Sequence, residues 1–201
     1  IVYTGRNQLF TDYQYSPDRR KVEFYWTGSE ARIRFSGSTK ILANIRIANA
    51  GYNGDYKPLA YILDGNYLRR ETPGGYSGTT TIATGLSTGE HTLVVRRDGE
   101  ADGRVWLENI TLDNGAQLLQ APAVNSTRKI EFYGDSITEG ANPVRLSTSN
   151  DSDGETWGAS NYYAYAARVQ RSFNADARFI AKGGIGVSST FWFHTMRDVW
   201  N

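Results

Sequence analysis

Short segments in which apolar and polar residues alternate follow one another through roughly the first 120 residues of this 201-residue chain. Residues 22–26, 31–35 and 41–47 are examples, and turn residues such as Thr27-Gly28-Ser29 separate them. A period of two is that of a β-strand with one buried face. The spacing predicts an antiparallel β-sandwich over residues 1–120, with a jelly roll as its natural version.

Four further segments extend this pattern, at residues 59–63, 79–82, 91–96 and 104–112. Asp64 and Gly65 directly follow the first of them, and an Asp-Gly pair between apolar runs is typical of a tight hairpin turn. Nothing in this part of the sequence has the three- and four-residue spacing of a long amphipathic helix. We therefore expect an all-β domain.

The pattern changes after residues 120–122. Residues 129–133 and 177–181 are two short apolar runs that predict strands, and the second ends in a glycine-rich turn. The segment between them includes a predicted helix, so the order is strand, helix, strand, which begins a parallel α/β domain. We expect residues 121–201 to be the start of a flavodoxin-like α/β/α domain that the chain does not complete.

The predicted helix covers residues 161–173 and is preceded by a long polar segment, residues 142–160. Three- and four-residue spacing assigns one helix face to Tyr162, Tyr165, Ala166 and Val169. A loop of that length is usually functional, and this one follows the carboxyl end of a strand, where open α/β sheets bind ligands. Trp157 lies in it and is a candidate for stacking on a sugar ring, with core or rim packing as the alternative.

Charge and composition exclude several classes of protein. The formal net charge is +1, so we expect no nucleic-acid partner, because binding to phosphates needs a basic surface. The basic pairs, Arg96-Arg97 among them, are interpreted as solvated faces. The chain has no cysteine, which excludes disulfides and thiolate-bound metal. No apolar run approaches the roughly 20 residues of a membrane span, and no membrane association is expected.

The 21 glycines, 13 tyrosines and 5 tryptophans form a composition that is common in extracellular carbohydrate-active proteins. The first residue is Ile1 rather than methionine. This is expected of a processed or engineered N-terminus from which a signal peptide has been removed. We therefore expect a secreted protein, extracellular or periplasmic.

The segment Tyr-Gly-Asp-Ser-Ile-Thr-Glu-Gly, residues 133–140, places Ser136 between a predicted strand and the start of a helix. A serine at such a turn exposes its hydroxyl beside backbone N–H groups, which suits a nucleophile whose oxyanion needs donors. The alternative is structural. Ser136 and Glu139 match the S-x-x-E capping box, in which the two side chains satisfy N–H groups at a helix start.

The longer motif favours the first interpretation. Gly134 to Thr138 together with Gly140 are similar to the first sequence block of the SGNH (GDSL-type) hydrolases. The glycine-rich residues 183–187 resemble the second block, which implies that Gly184, or else Gly186, donates a backbone N–H to the oxyanion. A preceding β-sandwich narrows the resemblance to family 2 carbohydrate esterases.

This resemblance implies a serine esterase that removes acetyl groups from plant polysaccharides such as xylan or glucomannan. Ser136 would attack the ester carbonyl, and the N–H groups of Ser136 and Gly184, with an asparagine side chain, would hold the oxyanion. A histidine would act as base, and water would hydrolyse the acyl-enzyme. Asp135 is expected to brace the turn rather than to titrate, and no cofactor or metal is implied.

The family's asparagine block and Asp-x-x-His block would both lie downstream of Asn201. We therefore expect the chain to be catalytically incomplete, with a second chain as one source of the missing part. His91 is expected to be structural, and His194 lacks the aspartate three residues before it that the family's base has. The alternative function is a non-catalytic carbohydrate-binding module.

Overall fold

The computed structural model describes residues 1–4, 7–11, 20–48, 58–71, 77–99, 104–121, 127–141, 159–188 and 195–199. Most of these residues belong to two antiparallel sheets. The strands of the first sheet are β1 (Val2–Thr4), β4 (Glu30–Ser36), β6 (Leu59–Leu63), β7 (Asn66–Glu71), β9 (Glu90–Arg97) and β11 (Gln117–Leu119). They follow the order β1-β4-β9-β6-β7, and β11 also pairs with β4.

The second sheet has five described strands in the order β2-β3-β10-β5-β8. They are β2 (Asn7–Thr11), β3 (Arg20–Phe24), β5 (Lys40–Ala48), β8 (Ser77–Thr84) and β10 (Arg104–Leu112). All the pairings in the two sheets are antiparallel. The predicted antiparallel strands of this region are confirmed, and β6 and β10 have the predicted bounds. The strand predicted at residues 22–26 is displaced, because β3 ends at Phe24.

One apolar core lies between the two sheets, which form a β-sandwich. Phe35, Tyr61 and Val95 enter it from the first sheet, and Ile45 and Val105 from the second, all without solvent exposure. Alternate residues of β4 are buried and partly exposed, as its sequence pattern requires. Strands β1, β2, β7 and β11 were not predicted. None of the residues of β1, β7 and β11 is buried, and such strands show no clear alternation.

The predicted hairpin turn joins β6 to β7. Asp64 and Gly65 have φ angles of 51° and 80°, and Leu63 pairs directly with Asn66. Two consecutive left-handed residues form the primed turn that matches the twist of a hairpin. The Asp64-Gly65 pair therefore forms the hairpin turn that the sequence predicted.

After the sandwich, the chain forms a small unit of mixed structure. Its elements are β12 (Lys129–Gly134), α1 (Ser136–Glu139), α2 (Tyr165–Ser172), β13 (Asp176–Ala181) and α3 (Met196–Val199). β12 and β13 are parallel, with Lys129 opposite Asp176 and Gly134 opposite Ala181. The predicted order of strand, helix and strand is present. None of the described helices is long and apolar enough to cross a membrane.

The predicted helix over residues 161–173 starts four residues too early, and its face is partly wrong. Helix α2 begins at Tyr165, because residues 161–164 form a turn that is fixed by Asp98 of the sandwich. The helix buries Ala166, Ala167 and Gln170, whereas Tyr165 is 50% exposed. Alanines allow the helix to approach Phe179 of β13 closely.

A buried polar junction joins the sandwich to this unit, and it corrects the interpretation of the arginine pair. Arg96 and Arg97 are 2% and 0% exposed. The Arg96 guanidinium donates to Glu30, Asn161 and Gln170. A buried charge is tolerated when it is paired and hydrogen-bonded, so residues 96 and 97 belong to an internal contact rather than to a solvated face.

The electrostatics of the junction follow from burial and pairing. Burial would raise the pKa of Glu30, but Arg96 and Arg32 outweigh it and hold the pKa below its usual value. Burial raises the pKa of Asp98, although Tyr162 and Ser160 hydrogen-bond to it. Both groups lie between the sandwich and the unit that carries Ser136, so the two parts of the chain share one polar contact.

Candidate active site

Ser136 is the first residue of helix α1, and one residue separates it from the end of strand β12. The N-cap residue is Asp135, whose Oδ1 accepts the backbone N–H of Ile137 at 3.0 Å. The short helix ends at Gly140, which has a left-handed φ of 116°. The capping-box alternative for Ser136 is therefore wrong, because the cap lies one residue earlier, and Asp135 has the bracing role expected of it.

A close approach between β12 and α1 fixes the direction of the turn. A Cβ atom on Gly134 would lie 1.9 Å from Thr138 Oγ1, so only glycine fits there. The Thr138 hydroxyl also lies 2.9 Å from the Tyr165 hydroxyl of α2. The serine turn is thus packed tightly against both β12 and α2.

The glycine turn after β13 lies beside Ser136. The position that a Cβ of Gly183 would occupy is 3.7 Å from Ser136 Cβ. Ile185 N–H donates to the Lys182 carbonyl at 3.2 Å and closes the turn, and Gly184 has a φ of 74°. The fold therefore brings the first and second glycine-containing motifs together, as parallel strands with adjacent carboxyl ends must.

Glu139 connects these two motifs. Its side chain is 2% exposed, and its Oε2 accepts the N–H of Gly183 at 2.7 Å. Because Asp135 is the cap, Glu139 is the fourth residue of the helix and not the third, which is the capping-box position. Its carboxylate consequently serves the glycine turn instead of the helix start.

The sandwich also contributes to the support of α1. Thr27 Oγ1 and Asn161 Nδ2 both donate to the backbone carbonyl of Glu139 at 3.3 Å. Ser160 N–H donates to the Gly140 carbonyl at 2.8 Å. The end of the serine helix is therefore held from the sandwich and from the segment that precedes α2.

An open cleft of about 1470 Å³ lies at the carboxyl end of β12. It is lined by residues 133–135, 185–188 and 195–198. Gly186 is in this lining, and its carbonyl accepts the N–H of Met196 at 2.8 Å. The cleft is open to solvent and begins at Asp135, one residue before Ser136.

The structure places His91 away from this cleft. His91 and Arg96 are five residues apart on β9, which corresponds to about 17 Å, and Arg96 is the residue at the junction. His91 Nδ1 lies 2.7 Å from Asp64 Oδ2, and Nε2 lies 3.0 Å from Ser87 Oγ. His91 therefore belongs to the sandwich.

Ser87, His91 and Asp64 form a row like that of a catalytic triad, but the row has the wrong protonation chemistry. His91 Nε2 also lies 3.1 Å from the Ser87 carbonyl oxygen, which can only accept a hydrogen bond. The hydrogen bond with Asp64 raises the pKa of His91 above its usual value. An Nε2–H that donates to the Ser87 carbonyl cannot at the same time accept the Ser87 hydroxyl proton, and all three residues belong to the sandwich, so we interpret this row as structural.

Gly184, Trp157 and His194 are the other residues considered for the site. Gly184 is exposed in the turn beside Ser136, and its N–H as an oxyanion donor stays a prediction. Trp157 and His194 lie outside the described residues. Within the described part of the chain, no three His, Asp or Glu side chains are arranged to hold a metal ion.

Sequence reasoning missed the roles of Glu139 and Asp98. Glu139 was assigned only to a capping box, and Asp98 received no role although it is completely buried. One signal was present for Asp98, since it follows two arginines at the end of an apolar strand. For Glu139 the local sequence favours the cap, and only its distance from Gly183 in space reveals its partner.

Together, the fold and the site define a β-sandwich protein with a partly exposed serine at a strand-to-helix turn, the arrangement by which serine hydrolases present a nucleophile. The family model for the N-terminal region of carbohydrate esterase 2 matches residues 12–122. This is more than half of the chain, and the chain belongs to carbohydrate esterase family 2.

Individual relatives agree with this assignment. The cellulase/esterase CelE of Acetivibrio thermocellus is 32% identical over 197 residues, which cover 95% of this chain and 21% of CelE. A structure of an active-site mutant of a family two carbohydrate esterase from Clostridium thermocellum is 26% identical, with a TM-score of 0.79, and the match covers 98% of this chain and 56% of the other.

A second structure of a family two carbohydrate esterase from Clostridium thermocellum, in complex with cellohexaose, is 28% identical with a TM-score of 0.76. The match covers 94% of this chain and 53% of the other. The chain thus spans about a fifth of CelE and about half of the two solved structures.

Proposed function

We propose that this chain carries the nucleophile of a secreted serine carbohydrate esterase that removes O-acetyl groups from plant polysaccharides, xylan or glucomannan. The observation that carries this proposal is the position of Ser136 at the strand-to-helix turn, with the Gly183–Gly184 turn against its Cβ. Family membership supports the ester and the carbohydrate as the chemical class of substrate.

In the proposed reaction, Ser136 Oγ attacks the acetyl carbonyl and its proton passes to a histidine base. The tetrahedral oxyanion is held by the N–H groups of Ser136 and Gly184 and by an asparagine side chain. The sugar oxygen leaves with the proton, and water then hydrolyses the acetyl-enzyme to acetate. Each oxyanion donor typically lowers the barrier by about 3–4 kcal/mol.

The histidine and the asparagine are proposed to come from a further polypeptide segment or a second chain that completes a flavodoxin-like sheet. Among the described residues, β12 pairs with β13 alone, whereas parallel sheets are normally covered on both faces. Ile137 and Val187, near the cleft, are 66% and 82% exposed. Exposed apolar residues in these positions support a covering segment.

The β-sandwich of residues 1–120 is proposed to be a jelly roll.

The test uses the chain alone and the complete gene product. We expect a fluorophosphonate to label Ser136 in the complete protein, together with a burst from 4-nitrophenyl acetate, and Ser136→Ala to abolish both. Acetate release from acetylated xylan and from acetylated glucomannan then identifies the polysaccharide. Absence of labelling in the complete protein would exclude the esterase.

The second candidate is a non-catalytic carbohydrate-binding module, in which the sandwich would bind a glycan and the unit that carries Ser136 would be inert. The observation that favours it is the cellohexaose complex of the related esterase. Calorimetric titration with cellohexaose separates the two functions. Binding that is unchanged by Ser136→Ala, in a complete protein without labelling or acetate release, would support the module.

A further inference from the structure

Glu139 has an unusual combination of burial and position. It is an acidic residue that is only 2% exposed, and it lies three residues after Ser136 in the same helix. A carboxylate at this depth destabilises a protein unless it is hydrogen-bonded. Its Oε2 accepts the Gly183 N–H at 2.7 Å, so a single side chain spans from the serine helix to the glycine turn.

The backbone of Glu139 has little freedom to move. Its carbonyl accepts from Thr27 Oγ1 and Asn161 Nδ2, both at 3.3 Å, and its N–H donates to the Asp135 carbonyl at 3.0 Å. These contacts come from the sandwich, from the segment before α2 and from the cap of α1. Because its backbone is fixed, the side chain of Glu139 holds its hydrogen-bond partner at a defined position relative to the helix.

The Glu139 carboxylate binds the glycine turn beside Ser136. The central residues of the turn are Gly183 and Gly184, and the Ile185 N–H closes it on the Lys182 carbonyl. The site for a Gly183 Cβ lies 3.4 Å from Glu139 Oε2 and 3.7 Å from Ser136 Cβ. The hydrogen bond from the Gly183 N–H to Glu139 therefore constrains the orientation of that peptide group beside Ser136.

We propose that Glu139 is a positioning residue, which holds the Gly183–Gly184 turn against Ser136 by accepting the Gly183 N–H. The turn is then oriented before substrate arrives, as an oxyanion site requires. This inference rests on the proposed function for its catalytic consequence. The hydrogen bond itself is tested separately below.

The acceptor geometry, and not the negative charge, is the useful property of Glu139. A negative charge close to a developing oxyanion raises its energy, since like charges repel. Glutamine has the same length and keeps an acceptor oxygen, whereas alanine has none. A positioning role therefore predicts that Glu139→Gln retains the function and Glu139→Ala loses it.

The first measurement is hydrogen exchange of the Gly183 amide in the chain itself, followed by NMR. We expect protection in the wild type and in Glu139→Gln, and faster exchange by at least about tenfold in Glu139→Ala, because the amide loses its acceptor. Glu90→Ala is the control, since Glu90 is exposed on the sandwich and pairs with Arg34. An unprotected Gly183 amide in the wild type overturns the proposal, even if Glu139→Ala fails to fold.

The second measurement is the rate of fluorophosphonate labelling of Ser136, and kcat and KM for an acetyl ester, in the complete protein. We expect Glu139→Ala to lower the labelling rate and kcat by about 100-fold with a smaller change in KM, and Glu139→Gln to stay within about threefold of the wild type. Equal losses in Glu139→Gln and Glu139→Ala overturn the proposal, because an acceptor role would then be excluded.

The two measurements also separate the proposals from each other. Absence of labelling in the wild-type complete protein would refute the esterase, and the exchange of Gly183 would still decide whether Glu139 holds the turn. Labelling that is insensitive to Glu139→Ala, with lost amide protection, would refute the positioning role while the esterase stands.

Discussion

The carboxylate of Asp98, at the end of β9, accepts the backbone N–H of Tyr162 at 2.7 Å, so a completely buried side chain of the sandwich fixes the turn before α2. The same carboxylate accepts the Ser160 hydroxyl at 2.8 Å. The segment that it holds also contacts α1 through Asn161. The sandwich is thus part of the support of the serine turn and not an appended domain.

Replacement of Asp98 should therefore destabilise the whole chain. Asp98→Ala leaves the Tyr162 N–H and the Ser160 hydroxyl buried without their acceptor, and we expect a loss of about 3 kcal/mol in the free energy of unfolding. Asp98→Asn keeps an acceptor for Tyr162, and Ser160 can reverse its hydrogen bond, so a loss of about 1 kcal/mol is expected. Urea unfolding measures both, and equal effects of the two variants would contradict this account.

The cap at Asp135 gives a prediction that separates bracing from acid–base chemistry. Asp135→Ala removes the acceptor for the Ile137 N–H and should lower the free energy of unfolding by about 1 kcal/mol. Asp135→Asn can still cap the helix and should cost only a few tenths of a kcal/mol. In the complete protein we expect the Asp135→Asn variant to retain fluorophosphonate labelling of Ser136. A large loss of labelling in Asp135→Asn would instead indicate a titrating carboxylate.

Gly134 should tolerate no side chain. The methyl group of Gly134→Ala would meet Thr138 Oγ1 at 1.9 Å and Thr138 Cβ at 2.6 Å, and we expect a destabilisation of about 3 kcal/mol from overpacking. Thr138→Ser should not rescue it, because Cβ remains. Gly89→Ala is the control, since its nearest neighbour is the flexible Ser87 Oγ at 3.3 Å, and thermal unfolding compares the variants.

His91 should give the fold a dependence on pH. Its pKa is raised by the hydrogen bond with Asp64, so its contribution to stability is complete below the unfolded-state value of about 6.5. That contribution is lost as the pH rises through the higher folded-state pKa. Urea unfolding of wild type and His91→Gln across this range should show a difference that shrinks with rising pH. A difference that is constant with pH would contradict the assignment.

Much of the fold could be predicted from local patterns. Alternation located the inner strands of both sheets, and Asp64-Gly65 located a hairpin. The motif around Ser136 identified the turn between β12 and α1. The predictions failed where a residue's environment depends on a distant segment. Tyr165 is exposed although its spacing placed it on an inner face, because α2 packs against Phe179 through Ala166 and Ala167 instead.

The candidate site also combines features that the sequence predicted with features that only the tertiary structure reveals. The resemblance of residues 134–140 and 183–187 to two sequence blocks of one hydrolase family predicted that Ser136 and the glycine turn belong together. The sequence could not predict that Asp135 is the cap, because Ser136 and Glu139 fit a capping box equally well as a local pattern. The choice depends on Gly183, 44 residues from Glu139 along the chain, which supplies a partner for the buried carboxylate.

By itself, the sequence determined the all-β character of the first region, the hairpin turn, and the serine between a strand and a helix. Each is encoded within a few neighbouring residues, where period and turn propensity act. Only the tertiary structure decided that Arg96 is buried, that His91 lies away from the cleft and that Glu139 holds the glycine turn. These outcomes depend on which charged and polar groups meet when distant segments pack and water is excluded.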